Sequence, residues 1–379
     1  MYSLEVHEVT KRFEKNVAVD EVSFSLPAGQ SLAILGPPES GKTTLLRLIA
    51  GVETPDRGLI MINGEDVTRT IAAKRSIGML FQSNYGLIPH MSAFDNIVMP
   101  LQHAPVSKEG MKRRATLTAQ TLSISHLLER KIHTLNNGEK LRVALAKVLA
   151  KNPALYLFDD PFEQLDTPTR LTARRELVEM QKTMGISCIY TTNDQADAFA
   201  LADRVAVINE GKIQQIGTRA QLLNAPTRLW VAQWLGFPPM NTVRGYLQGT
   251  YQAEGICYRV WAKGFAPLLP VKWSRILEDL HCREISLGIR PEAIIPEWEA
   301  REKWKPSFYL LRGEITACEW HQGKTLVQLR FPHAEETFMA IFEISHEQIK
   351  IGQMLSVAFD PEQFCLFHPE TQELLLSSF

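Results

Sequence analysis

The sequence predicts an α/β fold: a largely parallel sheet with helices on both faces, interrupted by a helical insert and followed by a smaller β-rich domain. Three observations carry this. An apolar run, Ser31-Leu32-Ala33-Ile34-Leu35, leads into the loop Gly36-Pro37-Pro38-Glu39-Ser40-Gly41-Lys42-Thr43-Thr44, after which Leu45, Leu46, Leu48 and Ile49 recur at helical spacing. Apolar strands and helical periods then alternate between residues 154 and 208. Beyond residue 235 the text turns to short, alternating, turn-punctuated segments.

In order, Leu4, Val6 and Val9, then Val17, Val19, Val22, Phe24 and Leu26, give strand-like alternation up to a turn at Pro27-Ala28-Gly29. The buried strand 31–35 and the helix after the loop follow, with Gly51 where a helix C-cap belongs. Asn63-Gly64 marks a hairpin turn, and Ile77-Gly78-Met79-Leu80-Phe81 reads as a strand ending at Gln82. Residues 86–153 form the insert, with helices expected over 108–128 and 138–150. The strand Ala154-Leu155-Tyr156-Leu157-Phe158 ends in Asp159-Asp160-Pro161, a helix covers 167–184, and the strand 187–191, the helix 194–201 and the strand 205–208 complete the alternation. Phe237-Pro238-Pro239-Met240-Asn241 reads as a linker, which places the boundary near 235 and the second domain over 236–379. Trp230 and Trp234, four apart, share a helix face. The tryptophans at 261, 273, 298, 304 and 320 are expected in the core.

The chain has 379 residues, 45% hydrophobic and 22% charged, with a net charge of −1 that gives no electrostatic case for a nucleic-acid partner. Its 5 cysteines are scattered without a C-x-x-C pair, which argues for reduced thiols and against a zinc or disulfide scaffold. There is no secretory leader and no apolar run of about 18 residues, so a chain that does not itself cross a membrane is expected.

The loop 36–44 matches G-x-x-x-x-G-K-[ST], the phosphate-binding pattern. Glycines bend the backbone so that N–H groups point at phosphate oxygens, Lys42 reaches the β- and γ-phosphates, and the Thr43 hydroxyl holds Mg²⁺. The helix that starts there offers its positive end to the anion. Asp159, at the end of an apolar strand, supplies the second carboxylate that orders Mg²⁺. ATP and Mg²⁺ are therefore the expected ligands.

The order of motifs resembles the ATPase subunit of an ABC transporter, and more narrowly the carbohydrate-importer subfamily (maltose, trehalose, glycerol phosphate), over nearly the whole chain. The resemblance implies that Phe13 stacks on adenine, that Gln82 in Phe81-Gln82-Ser83 senses the metal and faces a membrane subunit, and that Gly86-Leu87-Ile88-Pro89-His90-Met91-Ser92 continues that match. Leu135-Asn136-Asn137-Gly138-Glu139 stands where the family has L-S-G-G-Q, followed by Arg142-Val143-Ala144, and Asp166 in Gln164-Leu165-Asp166 lies in the loop that crosses to a partner ATPase. Pro238-Pro239-Met240-Asn241 and Leu287-Gly288-Ile289-Arg290-Pro291-Glu292 resemble the subfamily's accessory barrel, of OB or MOP-like type. The implied assembly is a head-to-tail ATPase pair, homo- or heterodimeric, on two transmembrane permease subunits at the cytoplasmic membrane face, served by an extracytoplasmic solute-binding protein. A polyamine or inorganic-ion importer is the alternative within the class. A nearly inactive ATP-binding regulatory partner is the alternative outside it.

Four departures cluster on the chemistry. Asp160 stands where the family has the general-base Glu, one methylene longer, and Asn193 stands for the switch His. Misplacement near 1 Å can cost about a hundredfold in rate, and Asn cannot carry the charge that strengthens a hydrogen bond to the γ-phosphate. Asn136-Asn137 replaces Ser-Gly, with Asn137 expected to need left-handed tolerance, and Glu139 replaces Gln, bringing negative charge toward the triphosphate. Binding is expected to survive and turnover to be reduced.

Overall fold

The computed structural model describes residues 2–14, 16–82, 84–102, 106–252, 255–280, 282–302, 305–321, 323–334, 336–343 and 349–377. Ser83 and Trp304 lie outside these. The chain divides into two units, Met1–Thr218 and Arg219–Phe379.

The first unit runs β1 (Tyr2–Phe13), β2 (Asn16–Pro27), β3 (Ser31–Leu35), α1 (Lys42–Ala50), β4 (Arg57–Ile62), β5 (Glu65–Asp66), β6 (Ile77–Leu80), α2 (Ala93–Val98), α3 (Lys108–Thr121), α4 (Asn137–Lys151), β7 (Leu155–Asp159), α5 (Thr167–Met184), β8 (Cys188–Thr192), α6 (Gln195–Leu201), β9 (Arg204–Asn209) and β10 (Lys212–Gly217). The main sheet has the order β10-β9-β3-β8-β7-β6, parallel except for β10, and β2-β1-β4-β5 form a separate antiparallel sheet. Strands β3, β7 and β8 are buried along their whole length, which is why they read as unbroken apolar runs. On one face Leu32, Ile34, Leu157, Ile189 and Ile208 share a core with α1 and the antiparallel sheet. Alternate residues such as Phe158 and Tyr190, stacked with centroids 4.9 Å apart, point to the other face. The N-terminal strands therefore cover part of a face for which only helices were expected.

Gly51 ends α1 in the left-handed region at φ 73°. Arg75, nearly fully buried, reinforces that end by donating from Nη1 to the Leu48 and Ile49 carbonyls at 2.8 and 2.6 Å. A guanidinium satisfying otherwise unpaired helix carbonyls anchors the helix that carries Lys42.

The second unit holds α7 (Arg219–Asn224), α8 (Leu229–Trp234), β11 (Asn241–Gln252), β12 (Gly255–Trp261), α9 (Ser274–Asp279), β13 (Glu284–Ile289), β14 (Ile294–Pro296), α10 (Glu297–Glu302), β15 (Tyr309–His321), β16 (Lys324–Arg330), β17 (Thr337–Phe342), β18 (Met354–Phe359), β19 (Phe364–Phe367) and β20 (Leu374–Ser377). Two five-stranded antiparallel sheets, β12-β11-β13-β19-β20 and β14-β18-β15-β16-β17, contribute to one apolar core in a barrel-like arrangement. Asn241 ties them together: its Nδ2 donates to the Ile289 and Met339 carbonyls at 3.2 and 2.8 Å, and its Oδ1 accepts from the Met339 N–H at 2.7 Å.

Three expectations are corrected here. The division falls at residue 218, not near 235, because Leu229 and Ala232 of α8 pack with Met240, Cys365 and Phe367. For the same reason 237–241 is no free linker: Met240 is core and Asn241 begins β11. Of the described tryptophans in the strands and helices after 241, Trp273 is buried, whereas Trp261, Trp298 and Trp320 are 50%, 45% and 49% exposed. Trp230 and Trp234 do share a face, their rings stacked at 5.5 Å.

Arg290 explains the Gly288-Ile289-Arg290-Pro291 text. Its guanidinium donates to the carbonyls of Leu223 at 3.0 Å, Ala232 at 2.9 Å and Leu235 at 2.6 Å, closing the ends of α7 and α8. Arg290→Met is expected to destabilise the second unit by about 3 kcal/mol, since the bonds are charge-assisted and the carbonyls would be left unpaired. Urea unfolding followed by tryptophan fluorescence reads this; an unchanged midpoint contradicts it.

Candidate active site

At the carboxyl end of β3 the chain turns through Gly36–Gly41 into α1. Two glycines are demanded by space. A Cβ on Gly36 would stand 2.2 Å from the Ile208 carbonyl oxygen, and one on Gly41, at φ 102°, 2.2 Å from that of Ala18. No side chain caps the start of α1, so its leading N–H groups are left for an anion. Lys42 Nζ folds onto the loop, donating to the Gly36 carbonyl at 3.0 Å, the Pro37 carbonyl at 2.6 Å and Ser40 Oγ at 3.4 Å. Burial pulls its pKa below the ordinary value, against the opposing effect of Asp160 and Asp159.

Beside the lysine, the Thr43 hydroxyl donates to Asp159 Oδ1 at 3.0 Å, and the Thr191 hydroxyl donates to the same oxygen at 2.7 Å. Among the described residues no three His, Cys, Asp or Glu side chains converge on one point. The Thr43–Asp159 oxygen pair fits instead a hard cation that takes its remaining ligands from water and phosphate.

Asp160 follows at φ 42°, its N–H donating to the Thr191 carbonyl and to Thr191 Oγ1, both at 3.1 Å. Burial, then the nearby charge of Glu163, pushes its carboxyl up to about 6. Gln82 Nε2 donates to Glu163 Oε2 at 2.7 Å, and Gln164 Nε2 donates to the Gln82 carbonyl at 2.9 Å. Exposed Asn193 completes a cleft of about 290 Å³ lined also by Pro38, Glu39, Lys42, Thr43, Gln82, Asp159, Asp160, Glu163 and Thr191. A hollow of about 460 Å³ contains Phe13, Asn16, Val17, Ala18 and Gly211, and shares Glu39, Gly41, Lys42, Thr43 and Thr44 with the loop. The Phe13 ring is 44% exposed there, with Lys11 Nζ 5.2 Å from its centroid.

The segment Asn136–Glu139 lies elsewhere, lining a separate hollow with Arg142 and Thr169. Asn136 caps α4: its Oδ1 accepts from the Glu139 N–H at 2.8 Å, and Glu139 Oε2 accepts from the Asn136 N–H at 2.9 Å. Arg130 Nη1 approaches Glu139 Oε1 at 3.3 Å. The Glu139 charge is thus engaged locally rather than free to oppose a phosphate. Asn137 is the first residue of α4 and needs no left-handed tolerance; its Nδ2 donates to the Gln164 carbonyl at 2.8 Å. Asp166 caps α5, accepting from the Thr169 N–H at 2.8 Å.

One cleft therefore collects the phosphate loop, Gln82, Asp159, Asp160 and Asn193, with Phe13 beside it. Asn136, Asn137, Gly138, Glu139 and Asp166 stand outside it. Sequence reasoning missed Thr191 and Glu163 as parts of the cleft. A hydroxyl ending an apolar strand next to the Asp159 strand, and an acid four residues beyond Asp159, were the available signals.

A family model described as ABC transporter matches residues 19–163. Over 98% of this chain and 99% of its own length, the trehalose/maltose import ATP-binding protein MalK of Thermococcus litoralis is 33% identical. The chain belongs to the ABC transporter family. It is an ATP-binding subunit of the import type. Another ABC relative, the sn-glycerol-3-phosphate import ATP-binding protein UgpC of Vibrio vulnificus, is 32% identical over 99% of this chain and 96% of its own. The spermidine/putrescine import ATP-binding protein PotA of Nitrosomonas eutropha is 41% identical, over 62% of this chain and 65% of its own. Among solved ABC structures, the ATP-binding cassette MJ0796, a dimer in a post-hydrolysis state bound to ADP and Pi, aligns with 26% identity and a TM-score of 0.50 over 57% of this chain and 98% of its own. Among the described residues no helix is long and apolar enough to cross a membrane.

Proposed function

We propose that this chain powers import of a sugar or related polyol from the cytoplasmic face of the membrane, and that its ATP turnover is slow. The carrying observation is the single cleft in which Lys42, Thr43 and Asp159 are complete while the residue next to Asp159 is the short, pinned Asp160. Lys42 would bind the β- and γ-phosphates, the first turn of α1 would hold phosphate oxygens, and Phe13 would support the base. Thr43, Asp159 and Gln82 would hold Mg²⁺, which when bound neutralises charge on the phosphates. Asp160 would receive the proton of the attacking water, and Asn193 would donate to the γ-phosphate.

The sugar assignment is supported by full-length similarity to sugar and glycerol-phosphate relatives, which extends through the second unit, whereas the polyamine relative matches 62% of the chain. We read that second unit as an accessory barrel. The separation of Asn136–Glu139 from the phosphate loop supports head-to-tail pairing with a second ATPase subunit, on two permease subunits and, through them, a solute-binding protein. One observation favours a second reading, a regulatory partner for an intact ATPase: the Asn137 side chain is already committed to Gln164.

The test is uptake in the native cell after Lys42→Ala replacement. Loss of labelled maltose, trehalose or glycerol-phosphate uptake, with spermidine and ferric iron uptake intact, is the expected result. Loss of spermidine or iron uptake instead overturns the solute assignment.

A further inference from the structure

Asp160 alone is poorly placed to orient a water at a γ-phosphate. Its backbone is fixed at φ 42° with the N–H held by Thr191, so the carboxyl hangs one methylene from a pinned point. A second carboxylate stands in the same cleft. Glu163 closes a turn onto Asp160, its N–H donating to the Asp160 carbonyl at 3.4 Å, and its side chain lines the cleft with Lys42, Thr43 and Asn193. Gln82 Nε2 holds Glu163 Oε2 at 2.7 Å, and Gln82 is itself held through its carbonyl by Gln164. A carboxylate accepts at both oxygens, so this bond orients Glu163 without exhausting it.

We infer that Glu163 is a water-orienting residue of the hydrolytic site, supplying from the following turn the reach that the Asp160 side chain lacks. The inference rests on the reading of the cleft as an ATP-hydrolysing site. In the step, the water oxygen bonds to the γ-phosphorus and the bond from that phosphorus to the β,γ-bridging oxygen breaks. ADP leaves with the electron pair, the water proton passes to Asp160, and inorganic phosphate is released. Glu163 accepts a hydrogen bond from the water and fixes its direction of attack, a contribution to orientation rather than to nucleotide affinity.

The experiment is steady-state phosphate release by the purified full chain, with binding of a fluorescent ATP analogue in parallel, for Glu163→Gln and Glu163→Ser in two backgrounds, wild type and Asp160→Glu. In the wild-type background each is expected to lower kcat about tenfold with the KM for ATP unchanged. In the Asp160→Glu background, where the longer side chain reaches the water itself, the same replacements are expected to cost less than about twofold. An unchanged kcat in the wild-type background overturns the inference alone. So does an equal loss in both backgrounds, which reduces Glu163 to a structural hold on Gln82. Absence of phosphate release from every variant and from wild type overturns the hydrolytic reading, and the inference with it.

Discussion

Asp160→Glu combined with Asn193→His is expected to raise ATP turnover by about tenfold or more, with nucleotide affinity little changed. Both residues line the same cleft as Lys42, and neither is needed to hold the loop. The added methylene at 160 carries a carboxylate toward the γ-phosphate from a backbone that Thr191 already fixes. A histidine at 193 restores a donor that can be cationic, so its bond to the γ-phosphate is charge-assisted and roughly twice as strong as a neutral one. Phosphate release by the purified chain, beside binding measured separately, checks this. A wild-type rate already typical of transporters, unmoved by the double replacement, would falsify slow turnover.

Lys42→Ala is expected to weaken ATP binding by about a hundredfold and to abolish turnover. The ammonium is held at the loop by two carbonyls and a hydroxyl, positions from which a phosphate can draw it away at small cost. Removing a buried, charge-assisted partner of an anion typically costs about 2–5 kcal/mol. Titration calorimetry with ATP reads the affinity, and retention of near wild-type binding contradicts the assignment of Lys42. Because Lys42 sits on the first turn of a helix packed through Leu45, Leu46, Leu48 and Ile49, the variant should keep its fold, which a thermal melt verifies.

How much of this was legible in the sequence depended on how local the cause was. The phosphate loop announces itself because the backbone constraint, the lysine and the hydroxyl fall within nine consecutive positions. Strands β3, β7 and β8 were legible because strands buried on both faces must be apolar throughout. Thr191 and Glu163 were not, since each acquires meaning only when β8 lies against β7 or when Gln82 comes within 2.7 Å. The same holds for Arg290 and Asn241, whose carbonyl partners lie 48 to 98 residues away. Pro238-Pro239 looked like a linker because prolines punctuate linkers; beside them Met240 belongs to the core and Asn241 is hydrogen-bonded to both sheets. Glu139 suggested repulsion from phosphate, and its capping partner three residues earlier was the local signal that it is occupied otherwise.

The bonds made by Gln164 and by the lysines of α4 amount to a latch. Asn137 at one end of the helix donates to the Gln164 carbonyl, while Lys147 and Lys151 further along donate to the carbonyls of Gly86 and Ile77, each at 2.7 Å. The helix cannot swing as a body without releasing at least these three contacts. At roughly 1 kcal/mol each, these contacts add about 3 kcal/mol to the cost of any such displacement. Gln164 also donates from its side chain to the carbonyl of Gln82. Gln164 thereby joins the start of α4 to the Gln82 backbone at the cleft through its own two bonds.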